Sequence, residues 1–540
     1  NPLNRRLIAM YIPVVHFVVR RRKAVILTAL VLMAITVPVF LQLGNEFMPP
    51  LNEGVVLYMP TAPPGMSVGE AVRALQIMDR QLMEFPEVVR VFGKAGRADT
   101  ATDPAPLSMF ETVVLLKPRK EWREGLTWDG LIQEMDQKIQ LPGMPNIWWM
   151  PIQTRTEMLA TGIRSQLGIK IFGDDLSTIE TSAIAISEAL GTVRGTRSAY
   201  AERTTGGFYL DITPNREEAA RYGLSVAEVN EIVETAIGGM QATSTVEGRE
   251  RYPVTVRYAR DFREDPEALD RILVPTPSGA QVPLTHVATV EYATGPDMIR
   301  SEDGKLVGYV FVDIAGRPVA DYVGDAKKVL AESVSLPPGI RADWTGQFEY
   351  YERAKSRLGI VVPVTLFLVT LLLYFNTRSW AKTSIVLLAV PFSLIGAIWL
   401  LYLLDYNLSV AVWVGLIALA GLDAETGVVM LLYLSLSHEQ ALREGRLRTF
   451  ADLEHAIVDG AARRIRPKLM TVLTDMIGLM PILWSTGTGS DMMKRIAAPM
   501  VGGLVTSFLL ELTVYPAIYA WWQGRRLAKE RLDTTLASES

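Results

Sequence analysis

The sequence predicts an α-helical membrane bundle of six transmembrane helices, interrupted after the first by a large external α/β insert. Three observations carry this prediction. Six apolar runs are each about 20 residues long, enough to cross a bilayer as a helix. Residues 44–357, between the first and second runs, alternate strand-like and helix-like hydrophobic periods. Lys and Arg gather at Arg20–Lys23, Arg378, Lys382, Arg443–Arg448, Arg463–Lys468 and Arg525–Arg531, all of which fall on one side if the six runs alternate across the membrane.

The elements follow in order. Residues 1–23 are basic and amphipathic and suit a membrane surface. Residues 24–43 are uncharged and form the first span. In the insert, Val55–Thr61, Val88–Gly93 and Met109–Lys117 read as strands and Ser67–Glu84 as a helix. A second set repeats the pattern: strand Leu167–Phe172, helix Leu176–Leu190, strand Phe208–Ile212, strand Leu306–Asp313 and helix Val319–Glu332. This gives two split βαβ units, about 48–150 and 166–205 plus 296–348, the second interrupted by an insertion at about 206–295. Three spans follow in 358–436. A cytoplasmic helix pair occupies 437–467, two more spans lie in 468–522, and a cytoplasmic tail ends the chain at 523–540. The first residue is Asn1, not an initiator Met, which raises the expectation of a piece of a longer protein.

Composition narrows the function. With 49% hydrophobic residues the chain is too apolar for a purely soluble protein, and a net charge of −4 argues against a nucleic-acid partner. It has no cysteine, and its four histidines (His16, His286, His438, His455) make no clustered metal motif. No P-loop, HExxH or GxSxG is present, so a secondary transporter is expected rather than an enzyme, and no cofactor.

Two sets of residues suggest chemistry. Within the apolar stretch VWVGLIALAGLDAETGVVMLLY lie Asp423 and Glu425, and Asp475, Glu511 and Lys468 sit in or beside the last two spans. An acid at membrane depth costs about 2.5–3.5 kcal/mol and usually marks an ion or proton path. Asp423 and Glu425 are two residues apart and cannot face one partner, and Glu425 is the preferred relay residue. Lys468 and Asp475 are two turns apart on one face. The alternative for Lys468 is to snorkel to the cytoplasmic interface. Outside the membrane, Met59, Met109 and Met158 with Glu111 form a soft donor set suited to Cu(I) or Ag(I), although methionine more often fills a core.

The stretches IALAGLDAETGVVML, RIRPKLMTV, GLMPILWSTGTGS, NEFMPPLNEG, LYMPTAPPG, VFGKAGRADTATDPAPL, LATGIRS and YPVTVRY resemble the heavy-metal efflux branch of the resistance-nodulation-division (RND) superfamily over nearly the whole chain. The resemblance implies the C-terminal half of such a transporter, starting just before the seventh of twelve spans. It also implies periplasmic porter subdomains with a docking subdomain inserted at about 206–295. The assembly it implies is a homotrimer in the bacterial inner membrane, driven by proton antiport, with a periplasmic adaptor and an outer-membrane channel. It places metal ligands at Met59, Met109, Glu111 and Met158. Its metal pathway runs past Glu53, Asp103, Arg164 and Met493, with Arg164 standing where lysine is expected. The relay pair falls on Glu425 and Lys468, with the relay's aspartate in the other half. Asp423, Asp475 and Glu511 depart from the family pattern and are possible further proton sites. The rival readings are export of divalent cations, which would want carboxylates or histidines, or of organic compounds, which would want an aromatic pocket.

Overall fold

The structure, a computed structural model, describes residues 2–49, 51–96, 105–263, 265–296 and 298–539. Helix α1 (Pro2–Arg20) leads through Arg21 into α2 (Arg22–Gln42), an apolar helix with hardly any buried side chains. The insert then begins with β1 (Val55–Tyr58), α3 (Val68–Met83), β2 (Val88–Ala95), β3 (Phe110–Leu116), α4 (Trp128–Lys138) and β4 (Trp148–Trp149). Ser67 and Thr127 cap α3 and α4 by accepting from the backbone N–H three residues on. The strands pair antiparallel in the order β2-β3-β1-β4, a β-α-β-β-α-β unit with both helices over one face. Val56, Tyr58, Phe110 and Val114 point into that helix-covered core.

Helix α5 (Pro151–Thr161) joins this unit to the second. Pro151 opens it, and Gly162 ends it at φ 79°, a left-handed position glycine takes without strain. The second unit comprises β5 (Leu167–Gly173), α6 (Leu176–Gly191) and β6 (Thr196–Ala201). It resumes after an insertion that holds β7 (Gly207–Pro214), α7 (Arg216–Arg221), α8 (Val226–Val233), β8 (Met240–Glu247), β9 (Glu250–Val256), β10 (Leu273–Pro275), β11 (Gln281–Pro283), α9 (Leu284–Val287) and β12 (Ala288–Gly295). It is completed by β13 (Ser301–Glu302), β14 (Lys305–Ile314), α10 (Val319–Ser333) and β15 (Arg341–Gly346). The sheet runs β13-β14-β5-β15, with β6 also on β14, repeating the first unit's topology. The strand expected at Phe208–Ile212 is β7, but it pairs with β12 in the insertion; the second unit's own strand is β6. Period alone could not distinguish them, because both are short and half-buried.

Helix α11 (Gln347–Thr377) runs unbroken from the insert into the apolar bundle. It is followed by α12 (Trp380–Leu387), α13 (Ala389–Leu403), α14 (Val410–Arg443), α15 (Phe450–Trp484) and α16 (Ser490–Glu539). Among the described residues, five stretches are long and apolar enough to cross a membrane: Arg22–Gln42, Gln347–Thr377, Trp380–Leu403, Val410–Arg443 and Ser490–Ala528. The expected sixth, in α15, is not among them, because only a short apolar run separates the basic Arg463–Lys468 segment from Trp484, and Asp475 interrupts it. The cytoplasmic helix pair expected at 437–467 is not separate; α14 and α15 simply continue through it, meeting at a turn capped by Thr449. Helix α1 is not only a surface helix. Tyr11, Val15 and Val19 are buried in the bundle core, and Tyr11 donates to the Leu512 carbonyl at 2.7 Å.

Small residues bring the bundle together. A Cβ on Gly396 would lie 2.0 Å from the Gly502 carbonyl oxygen, so α13 and α16 touch backbone to backbone. Gly415 similarly meets Ile496 of α16, at 2.4 Å. At one end of the bundle Glu46 ties three segments, accepting from Asn407 at 2.9 Å and pairing with Arg495.

Inside the second unit, Asp313 on β14 is buried and pairs with Arg197 of β6 at 3.2 Å. Burial pushes its carboxyl up to about 7 despite the guanidinium. The folded state therefore binds this proton more tightly than the unfolded chain. The stabilisation is full below the ordinary aspartate pKa and is lost as pH rises through about 7. Asp313→Asn is expected to flatten that decline. Melting temperature against pH measures it, and an unchanged slope would contradict it.

Candidate metal site and membrane charge cluster

The first sheet has two faces. Strand geometry sends alternate residues to opposite sides, so Met109, Glu111 and Val113 share the face away from α3 and α4. Leu57 pairs with Val113 across β1 and β3, which puts Leu57 and Met59 on that same face. Helix α5 lies over it and supplies Met158. The result is one small apolar cluster of Leu57, Met59, Ala105 and Met109, with Val113 and Met158 packed against it. The structure thus gathers the three methionines that sequence distance keeps apart. Met59 is 1% exposed and Met109 7%, so both sulfurs are withdrawn from water.

Glu111, also buried, does not point at an empty space. Its carboxylate pairs with Lys94 at 2.8 Å, its direct cross-strand neighbour, and with Arg155 at 3.2 Å. Arg155 was not singled out by sequence, yet a signal existed, for it precedes Met158 by three residues and so shares a face of α5 with it. The Lys94 contact needed the strand register and had no such signal.

The pathway residues fall in different settings. Glu53 accepts from the Ile152 backbone N–H at 3.0 Å, at the positive N-terminal end of α5. Arg164 is 5% exposed, stacks over Phe311 at 4.9 Å from the ring centre and faces Glu202 at 3.7 Å. With Thr61, Ser108 and Glu202 it lines a small pocket beside the methionine cluster. Met493 is exposed near the start of α16, far along the chain from that cluster and outside it. Asp103 lies outside the described residues.

One further acid stands beside the site. Glu157 is 7% exposed, and burial pushes its carboxyl up to about 7, with the amides of Gln153 and Gln347 opposing that rise.

In the bundle, the charges sort by helical geometry. Asp423 is 1% exposed and faces inward, near the hydroxyls of Ser393 and Ser507. Glu425, two residues on and therefore about 200° around the helix, is exposed on the surface of the described bundle. Lys468 and Glu511, at 1% and 0% exposure, form a buried ion pair between α15 and α16. The second oxygen of Glu511 accepts from Thr426 at 3.2 Å and Ser507 at 3.0 Å. Lys468 is therefore neither snorkelling nor paired with Glu425 or Asp475; its partner is Glu511, with Asp423 within electrostatic reach. Asp475 is half-buried further along α15. Spacing along α15 suggested Asp475 because a single helix was all the sequence could measure; α16 decides the pairing.

Among the described residues no group of three or more His, Cys, Asp or Glu side chains is placed to hold a metal ion. The donor set is soft sulfur beside one doubly paired carboxylate, with hydroxyl-solvated charges apart from it in the bundle.

Comparison with known proteins agrees with this architecture. Residues 1–523 match the AcrB/AcrD/AcrF family. The cation efflux system protein CusA of Escherichia coli (strain K12) is 44% identical over 98% of the chain and 51% of its own length. The cobalt-zinc-cadmium resistance protein CzcA of Cupriavidus metallidurans is 34% identical over 92% of the chain and 47% of its own length. A crystal structure of a heavy metal efflux pump superposes with a TM-score of 0.84 at 30% identity, covering 96% of this chain and 52% of that one. The chain spans about half the length of the curated relatives it matches. It belongs to the AcrB/AcrD/AcrF family and has the RND transporter fold of the heavy-metal efflux pumps.

Proposed function

We propose that this chain forms part of a proton-driven exporter of monovalent soft metal ions, Cu(I) or Ag(I). The observation that carries this reading is the meeting of Met59, Met109 and Met158 on one buried face. Thioethers are neutral and polarisable, need no deprotonation, and favour Cu(I) and Ag(I) over hard divalent ions. The ion passes Glu53, Asp103 and Arg164 and is taken by the three sulfurs. Its charge competes with Arg155 for Glu111, which then completes the ligand set. The relative named as a cation efflux protein is 44% identical to this chain over 533 residues, which supports the metal class.

In the bundle, proton arrival at Glu511 or Asp423 weakens the hold on Lys468. The lysine then turns toward Glu425, whose exposed face the remaining half of the transporter covers. Exchange of Lys468 between these acids is the proton-coupled step, and Asp475 and Met493 lie on neighbouring stretches of the proton and metal routes. The protein works in the inner membrane of a bacterium as a homotrimer, with a periplasmic adaptor and an outer-membrane channel. The β8–β9 hairpin supports the oligomer: every residue of it is exposed, including Val246, Tyr252 and Val254, and an isolated hairpin of this kind is marginal without a neighbour.

Met109→Ile, which keeps apolar volume but removes a sulfur, is expected to abolish Ag(I) binding in calorimetry while leaving circular dichroism unchanged. Unaltered affinity would remove the thioether set, and retained Zn(II) binding in its place would favour the divalent reading. Lys468→Met leaves Glu511 buried and unpaired, and is expected to lower stability by about 3–5 kcal/mol; pairing it with Glu511→Leu should recover much of that. Equal losses in the single and double variants in a melting series would contradict the buried pair. Glu425→Gln in the full-length transporter is expected to stop proton-coupled transport in vesicles yet spare metal binding. Normal transport would take Glu425 out of the relay.

A further inference from the structure

We propose that Glu157 is a positioning residue, whose carboxyl group ties the Met158 helix to the first turn of α11 and so links metal-site occupancy to the membrane bundle. The inference rests on the reading of Met158 as a metal-site residue.

Glu157 precedes Met158 on α5, and consecutive helical residues point about 100° apart. Met158 packs toward the sheet face with Met59 and Met109, while Glu157 turns toward α11. One carboxyl oxygen accepts from Gln153 of the same helix at 3.0 Å and from Gln347 at 3.1 Å. Gln347 is 190 residues away in sequence and is the first residue of α11. All three side chains are buried, at 7%, 7% and 5% exposure for Gln153, Glu157 and Gln347. The second oxygen of Glu157 is buried with no hydrogen-bond partner among the described residues. A buried acid left half-satisfied costs stability, so packing alone gives no reason for a carboxyl group here.

The backbone around this contact is firmly anchored. Gly346 has φ 84° and ψ −144°, a conformation closed to L side chains, and a Cβ there would sit 2.5 Å from the Gln166 carbonyl oxygen. The Gln347 N–H donates to that same carbonyl at 2.9 Å. From this fixed point α11 runs as one helix of 31 residues to Thr377. Helix α5 is held at its start by Glu53 and released at its end by Gly162. When metal draws Met158 toward the sheet, α5 rotates about its Glu53 end, and the Glu157–Gln347 bond carries that rotation to the head of α11.

The test uses the full-length transporter in proteoliposomes. Gln347→Leu removes the donor without touching α5 or any metal-site residue. Ag(I) binding by calorimetry is expected to be unchanged, while Ag(I)-stimulated proton flux falls about tenfold, a typical size for a lost coupling. The swapped pair, Glu157→Gln with Gln347→Glu, rebuilds the bond in reverse and is expected to restore the flux. Amide hydrogen exchange gives a metal-independent readout, with α5 expected to exchange faster in Gln347→Leu and to be protected again in the swap. Unchanged flux and exchange in Gln347→Leu would overturn the link. Binding and flux lost together and not rescued by the swap would also overturn it, because the contact would then only hold the site in shape. A parent protein that binds no Ag(I) would sink the metal reading instead, and the exchange data would still decide the link.

Discussion

The ion pair of Lys468 and Glu511 sets the terms for the membrane half of this protein. Two opposite charges that are almost entirely out of water must be in contact and have their remaining valences met. Thr426 and Ser507 supply hydroxyls to Glu511, and Ser393 and Ser507 stand near Asp423. Those partners come from four helices, α13 to α16, so the cluster fixes how the four sit against one another. The glycines at 396, 415 and 502 serve the same arrangement, because only bare backbone lets α16 approach α13 and α14 closely enough for the side chains to meet.

The insert is governed by a different constraint. A β-α-β-β-α-β unit covers one face of its sheet with its own helices and leaves the other to find a neighbour. In the first unit that free face carries Met59, Met109 and Glu111, and the neighbour is the short helix α5. The face is apolar enough to be buried and carries sulfur where another sheet would carry only carbon. It is also bounded by charge, since Lys94 and Arg155 both pair with Glu111.

Between the two halves, α11 is the continuous connection, and α2 with the Glu46–Arg495 contact is the other. Two sites joined by stiff elements need a contact that is made in one state and altered in another before they are coupled. The bond from Gln347, the first residue of α11, to Glu157, which neighbours Met158 on α5, is one contact between such elements.

Much of the fold was legible in the sequence. The period of α3, capped by Ser67, and the apolar runs of β3 and β5 depend on neighbours a few residues away, and so do the five apolar spans found among the described residues. The candidate residues were legible as types: an acid in lipid and a methionine set outside it each stand out against their surroundings. Sequence could not decide which strand completes the second unit, which of Asp423 and Glu425 faces inward, or that Lys468 belongs to Glu511 rather than to an acid on its own helix. It also missed Arg155 and Lys94 as partners of Glu111. The division has one physical cause. Hydrophobic period and helix caps act over the span of a single element, whereas the pairing of buried charges and the gathering of three sulfurs depend on how distant elements pack. Packing is chosen by burial summed over the whole chain.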